Sequence, residues 1–211
     1  MFRLFLSLIL FTSVSLGAAV RFDFKDPFSR NVLTAESHGS LERTVVIFPA
    51  VAGWLEIDPQ AVRQGVKGEV EWNMRRMESG TALKDDFIRE KILGVSEFPT
   101  AGLTVMSLAG KPPAKLVDAT PTRARLLVTI KVKAATKTVE VPVTLTYFKE
   151  SETTKGRMPG NLLKIEGDLS IDPAQLGLTL PDSHKARFGK TLLLKVELLG
   201  TDQLPLDPEP K

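Results

Sequence analysis

The chain has 211 residues, a formal net charge of +3, 43% hydrophobic residues and no cysteine. The missing cysteine excludes disulfides, thiol catalysis, cysteine metal sites and a lipid-modified cysteine, so stability must come from burial. So small a charge, spread over interleaved lysines, arginines and acids, excludes a nucleic-acid partner.

The N-terminus carries the first pattern. Arg3 precedes an apolar and hydroxyl-bearing run over residues 4–16, which ends in Gly17, Ala18 and Ala19. A basic start, a short apolar run and small residues at its exit form a secretory leader. The run falls short of the about 20 apolar residues that span a bilayer. The expectation is a signal peptide over 1–19, cleavage near residues 18–20 and a periplasmic or secreted location. Removing Arg3 takes the net charge to +2. About 190 residues then remain, enough for one domain with a substantial core. That domain is expected over 20–204, followed by a flexible tail over 205–211, where Pro208 and Pro210 interrupt any regular structure.

Beyond the leader the dominant signal is alternation. Short strands are expected near 21–24, 32–37, 44–48, 51–57 and 102–108. The clearest run places Val66, Gly68, Val70, Trp72 and Met74 on one face, and Lys67, Glu69, Glu71, Asn73 and Arg75 on the other. Period two over this length makes a half-buried strand. The same pattern returns over 123–133, 139–147, 163–171 and 192–198. Turn residues separate the runs: Gly39-Ser40, Asp58-Pro59, Gly110 to Pro113, Gly156 to Gly160 and Pro181-Asp182. Many amphipathic strands joined by short turns predict an all-β, antiparallel barrel, since closing the sheet removes its edges. Pro142, inside a strand pattern, is expected at a bulge or an edge. Residues 81–93 lack alternation and place Leu83, Phe87 and Ile88 at helical spacing before Gly94, which predicts one short helix flanking the barrel. The outer faces carry lysine, glutamate and arginine, which argues against a barrel immersed in lipid.

Catalytic patterns fail one by one. His38 and His184 share no helical spacing, so no metal site is expected, and no cofactor. Gly189-Lys190-Thr191 imitates the end of a phosphate loop, but His184 stands where that loop needs glycine. Asp85-Asp86, beside Lys84 and Arg89, reads as a solvated helix face near the positive end of the helix dipole. No serine lies in a Gly-x-Ser-x-Gly turn, and the chain is expected not to be an enzyme.

Residues 78–103, ESGTALKDDFIREKILGVSEFPTAGL, resemble the YceI-like, lipocalin-like family of polyisoprenoid-binding proteins. Lys84-Asp85-Asp86-Phe87-Ile88 occupies that family's Arg-Asp-x-His-Leu helix motif, Ile92-Leu93 its aromatic pair and Phe98-Pro99 its Tyr-Pro. Ala135-Thr136-Lys137-Thr138-Val139 resembles its Gly-Val-Thr-Lys-Pro-Val segment. Residues 171–178 resemble its Ile-Asp-Arg-x-x-Phe-Gly-Leu segment, and Phe188-Gly189-Lys190 leads the last strand. The departures fall on polar positions: Lys84, Phe87, Lys133 and Pro173 replace arginine or histidine. The resemblance implies a lipocalin-like barrel whose lumen holds a long isoprenoid or fatty-acid-like amphiphile. It also implies a candidate ligand set of Val70, Trp72, Phe87, Phe98, Val105, Ile130, Leu145 and Leu169. The sequence itself leaves a lumen filled by these side chains as the alternative. The expected partner is an isoprenoid or long-chain lipid; a membrane partner protein and a homodimer remain open. Two other classes also stay open: an accessory protein of a membrane redox complex, and a small lipid-modifying envelope enzyme. Trp54, on the opposite parity from Leu55 and Ile57, is expected to be less buried than Trp72.

Overall fold

A computed structural model describes residues 18–26, 28–181, 184 and 186–203. Most of the expected leader and the expected tail therefore lie outside the described residues. The described residues form ten strands: β1 (Val20–Asp23), β2 (Val32–His38), β3 (Arg43–Phe48), β4 (Ala52–Ile57), β5 (Val66–Asn73), β6 (Thr100–Leu108), β7 (Thr122–Val132), β8 (Ala135–Phe148), β9 (Leu162–Ile171) and β10 (Leu192–Thr201). Each overlaps a run of alternation or a short expected strand, because one-sided burial is what period two encodes. β5 is buried and exposed in strict alternation, with Trp72 buried and Trp54 only half-buried under the Arg21 guanidinium.

All pairings between neighbouring strands are antiparallel. The ring runs β1-β4-β5-β6-β7-β8-β9-β10 and closes through the Asp23–Thr201 pair of β1 and β10. The β2–β3 hairpin sits on the first half of β10, where Val32 to Ser37 pair with Glu197 to Leu192. β10 thus changes partner part-way along, and Asn31 stitches the change. Its side-chain amide donates to the Phe24 and Leu199 carbonyls at 2.6 and 3.2 Å, and its Oδ1 accepts the Leu199 N–H at 2.8 Å. Those backbone groups lack a strand partner, so Asn31, only 2% exposed, completes the seam. On the other side of the hairpin, Ile47 exchanges two backbone hydrogen bonds with Glu78, just past β5.

One end of the barrel is filled. Phe22, Phe24, Leu55, Leu145 and Leu163 are fully buried or nearly so, and Phe22 meets Tyr147 edge to face at 6.2 Å. Gly200 makes room for Phe24, since a Cβ there would lie 2.6 Å from the ring. The other end is covered by α1 (Ala82–Phe87), which widens into a π-helical turn, Ile88–Leu93, and stops at Gly94 with φ 62°. The expected helix is present, but its buried face differs. Leu83 is 82% exposed, while Ile88, Ile92 and Leu93 face the barrel. Asp85 is also buried rather than solvated: its carboxylate accepts the Ser79 N–H at 2.7 Å and the Ser79 hydroxyl at 2.5 Å.

β8 leaves β9 part-way along. Their pairing runs from Phe148–Leu162 to Val143–Gly167 and then stops, so Pro142 lies where the two strands separate. A proline at a local edge removes no ladder bond that the strand needs. Beyond it Val139, Val141 and Leu169, all of inward parity, are only half-buried.

Candidate functional site

The covered half of the barrel is hollow. An upper cavity of about 90 Å³ lies beneath the helical turn, walled by β2, β3, β10 and the loop that follows β9. A second, of about 80 Å³, lies deeper, towards Phe24 and Leu55. Trp72, Ile130, Leu33 and Leu194 border both, so the two follow one another along the barrel, with Trp72 beside each. The walls are aliphatic and aromatic almost throughout, the lining that a long hydrocarbon chain requires. Two larger concavities, of about 950 and 1040 Å³, lie on the outer surface. Their walls carry Arg123, Arg125, Glu166, Lys195 and Glu197 on one, and Glu69, Glu71, Lys131 and Lys133 on the other, so water solvates them better than an apolar chain would.

The candidates divide by where strand parity holds. Trp72 and Ile130 line both cavities; Val70, Val105 and Leu169 line the deeper one. Leu145 is fully buried but borders neither, because it belongs to the filled end. Phe87 and Phe98 lie outside the strands, where alternation says nothing. Phe87 ends α1 and stacks on the His184 imidazole with ring centroids 4.2 Å apart. Phe98, in the loop before β6, lines an outer concavity, with the Lys133 ammonium 5.9 Å from its ring centroid. Residues outside the expected ligand set complete the upper wall: Ile88 and Ile92 from the helical turn, and Pro173, Leu176, Leu178 and Leu180 from the loop after β9. The π-helical turn brings the first pair inward; three of the second group lie in the 171–178 segment, where the resemblance marked a motif but alternation gave no inward parity.

Polar atoms are sparse in the upper cavity. Among the described residues, Ser37 and Thr44 supply its only side-chain hydroxyls and no charged side chain lines it. They are directly paired across β2 and β3. The Ser37 hydroxyl accepts the Gly189 N–H at 2.9 Å, whereas Thr44 Oγ1 has no hydrogen-bond partner among the described residues. A hydroxyl buried without one costs about 1–3 kcal/mol. The sequence signal was Thr44's shared parity with Val46 and Phe48.

The opposite face of the hairpin holds the register. Arg43 grips the Glu36 carboxylate through Nε at 2.6 Å and Nη2 at 2.8 Å, and His38 contacts the same carboxylate. The Arg43 guanidinium, aided by His38, holds the Glu36 carboxyl at about 2, down from an ordinary 4.5. A depressed carboxyl stabilises the fold fully above its unfolded value, and that contribution disappears as pH falls towards the folded one. Thermal midpoints should therefore drop between about pH 5 and about pH 2, and Glu36→Gln should flatten that part of the profile.

No protein family matches the chain by sequence, and no curated protein does. Solved structures match by shape. BcnA of Burkholderia cenocepacia superposes with a TM-score of 0.65 at 15% identity, covering 82% of this chain and 97% of that one. A polyisoprenoid-binding domain from Saccharophagus degradans, implicated in plant cell wall breakdown, gives 0.63 at 10%, covering 87% and 98%. The Campylobacter jejuni YceI protein gives 0.60 at 9%, covering 75% and 85%. The chain has the YceI fold. At these identities the agreement lies in backbone architecture: an eight-stranded antiparallel barrel with one short helix. The resemblance of residues 78–103 to that family coincides with the covering helix and the start of β6.

Proposed function

We propose that this chain is an exported, YceI-like binding protein that holds one long apolar amphiphile, a polyisoprenoid or fatty-acid-like lipid, in its barrel and performs no chemistry on it. One observation carries the reading: two apolar cavities follow one another along the lumen and share a wall at Trp72 and Ile130. An apolar cavity of about 150 Å³ stays dry and takes up benzene. Cavities of about 90 and 80 Å³ each suit a few carbons of a chain, and a longer chain needs the Trp72 side chain to shift. Burial of hydrocarbon yields about 0.8 kcal/mol per methylene, which favours such a shift. The polyisoprenoid binding of the Saccharophagus degradans domain, of the same fold, supports this ligand class. Export rests on the leader pattern before Ala18.

The test is mass spectrometry of an organic extract from the full chain purified from an envelope fraction. The expected result is a single long-chain class near one molecule per protein. An extract free of lipid from a protein that also takes up none in solution would leave only a lumen closed by its own side chains.

A further inference from the structure

The upper cavity contains one group that its packing does not explain. Thr44 is 3% exposed, lines the cavity together with Val46, Phe48, Ile88 and Leu192, and leaves its hydroxyl unpartnered among the described residues. Valine has the same shape and would fill the same space without a buried, unbonded oxygen. Water is a poor occupant, because a stably buried water makes about three hydrogen bonds. Here the described residues offer it two side-chain hydroxyls, and Ser37 already accepts the Gly189 N–H. A ligand oxygen needs only one donor, and the Thr44 hydroxyl can turn to supply it.

Resting on the lipid-binding reading above, we propose that Thr44, with Ser37 beside it, receives the oxygen of a neutral head group, a hydroxyl or a carbonyl. The oxygen end then lies under the helical turn, while the chain passes Trp72 towards Phe24. A phosphate or carboxylate fits this place poorly. Among the described residues no cation lines the cavity, and Arg43, next to Thr44 in sequence, points outward to Glu36. An anion there would be desolvated without a counter-charge. The same hydroxyl pair thus fixes the orientation of the ligand and discriminates its head group.

The test uses the full chain with three probes of one carbon skeleton: geranylgeraniol, the corresponding hydrocarbon without oxygen, and geranylgeranyl phosphate. Binding is read from Trp72 emission in a Trp54→Phe background. The parent is expected to prefer the alcohol to both others. Thr44→Val should lose about tenfold in affinity for the alcohol and leave that for the hydrocarbon unchanged. Thr44→Ser should restore the preference, which a merely structural role would not require. Thr44→Val should fold at least as well as the parent, since it removes an unbonded buried hydroxyl. An alcohol affinity unchanged in Thr44→Val, or a parent preference for the phosphate, would overturn the proposal while leaving lipid binding intact. Failure of all three probes to bind the parent would remove the lipid reading and this inference with it.

Discussion

Truncation of Trp72 to alanine is expected to lower the unfolding free energy by about 3–5 kcal/mol. Trp72 is 7% exposed and forms a wall of both cavities. Removing it joins two voids that already exist, and the surrounding strands are held by continuous ladders to β4 and β6, so the space cannot collapse. The cost should therefore lie towards the upper end of that range. Trp54→Ala, which removes the Arg21 contact on the outer face, should cost less, about 1 kcal/mol. Urea denaturation of the two variants beside the parent reads the difference. Equal losses would mean that Trp72 does not occupy the lumen.

The second large effect separates the two ends of the barrel. Leu145→Ala should cost about 2–5 kcal/mol, since Leu145 is fully buried at the filled end. It borders neither cavity, so the surviving folded protein should bind lipid as the parent does. Leu169→Ala should do the reverse. Leu169 is half-buried where β8 and β9 separate and lines the deeper cavity, so its loss should cost roughly 1 kcal/mol of stability and visibly weaken binding. Denaturation and lipid titration of both variants check this double dissociation. A Leu145 variant that is stable but fails to bind would reverse the assignment of the hollow end.

The strands and the helix were legible because burial on one side of an element leaves a period. Trp72 and Ile130 were legible for that reason: each stands in a long alternating run, and inward parity places it in the lumen. Parity cannot say which inward residues meet a void and which meet one another, so Leu145 was indistinguishable from Ile130. It has no meaning at Phe87 and Phe98, which lie beyond the strand ends. The seam was also invisible. Asn31 serves backbone groups of β10 far away in sequence, a role that depends on how the ring closes rather than on its neighbours. The separation of β8 from β9 was marked only by Pro142, whose position shows that pairing stops but not what it opens. Thr44 had the right parity, but a hydroxyl on a buried face usually bonds to something, and its lack of a partner appears only in three dimensions.

The central claim is that the hollow half of the barrel receives an apolar chain beside Trp72. It is tested most directly by titrating the full chain with geranylgeraniol and following tryptophan emission. Trp54 and Trp72 are the two tryptophans, so single substitutions assign the signal. The account predicts a saturable change that persists in Trp54→Phe and disappears in Trp72→Phe. Emission that does not respond in a folded Trp54→Phe protein, or a response that survives only through Trp54, would contradict it.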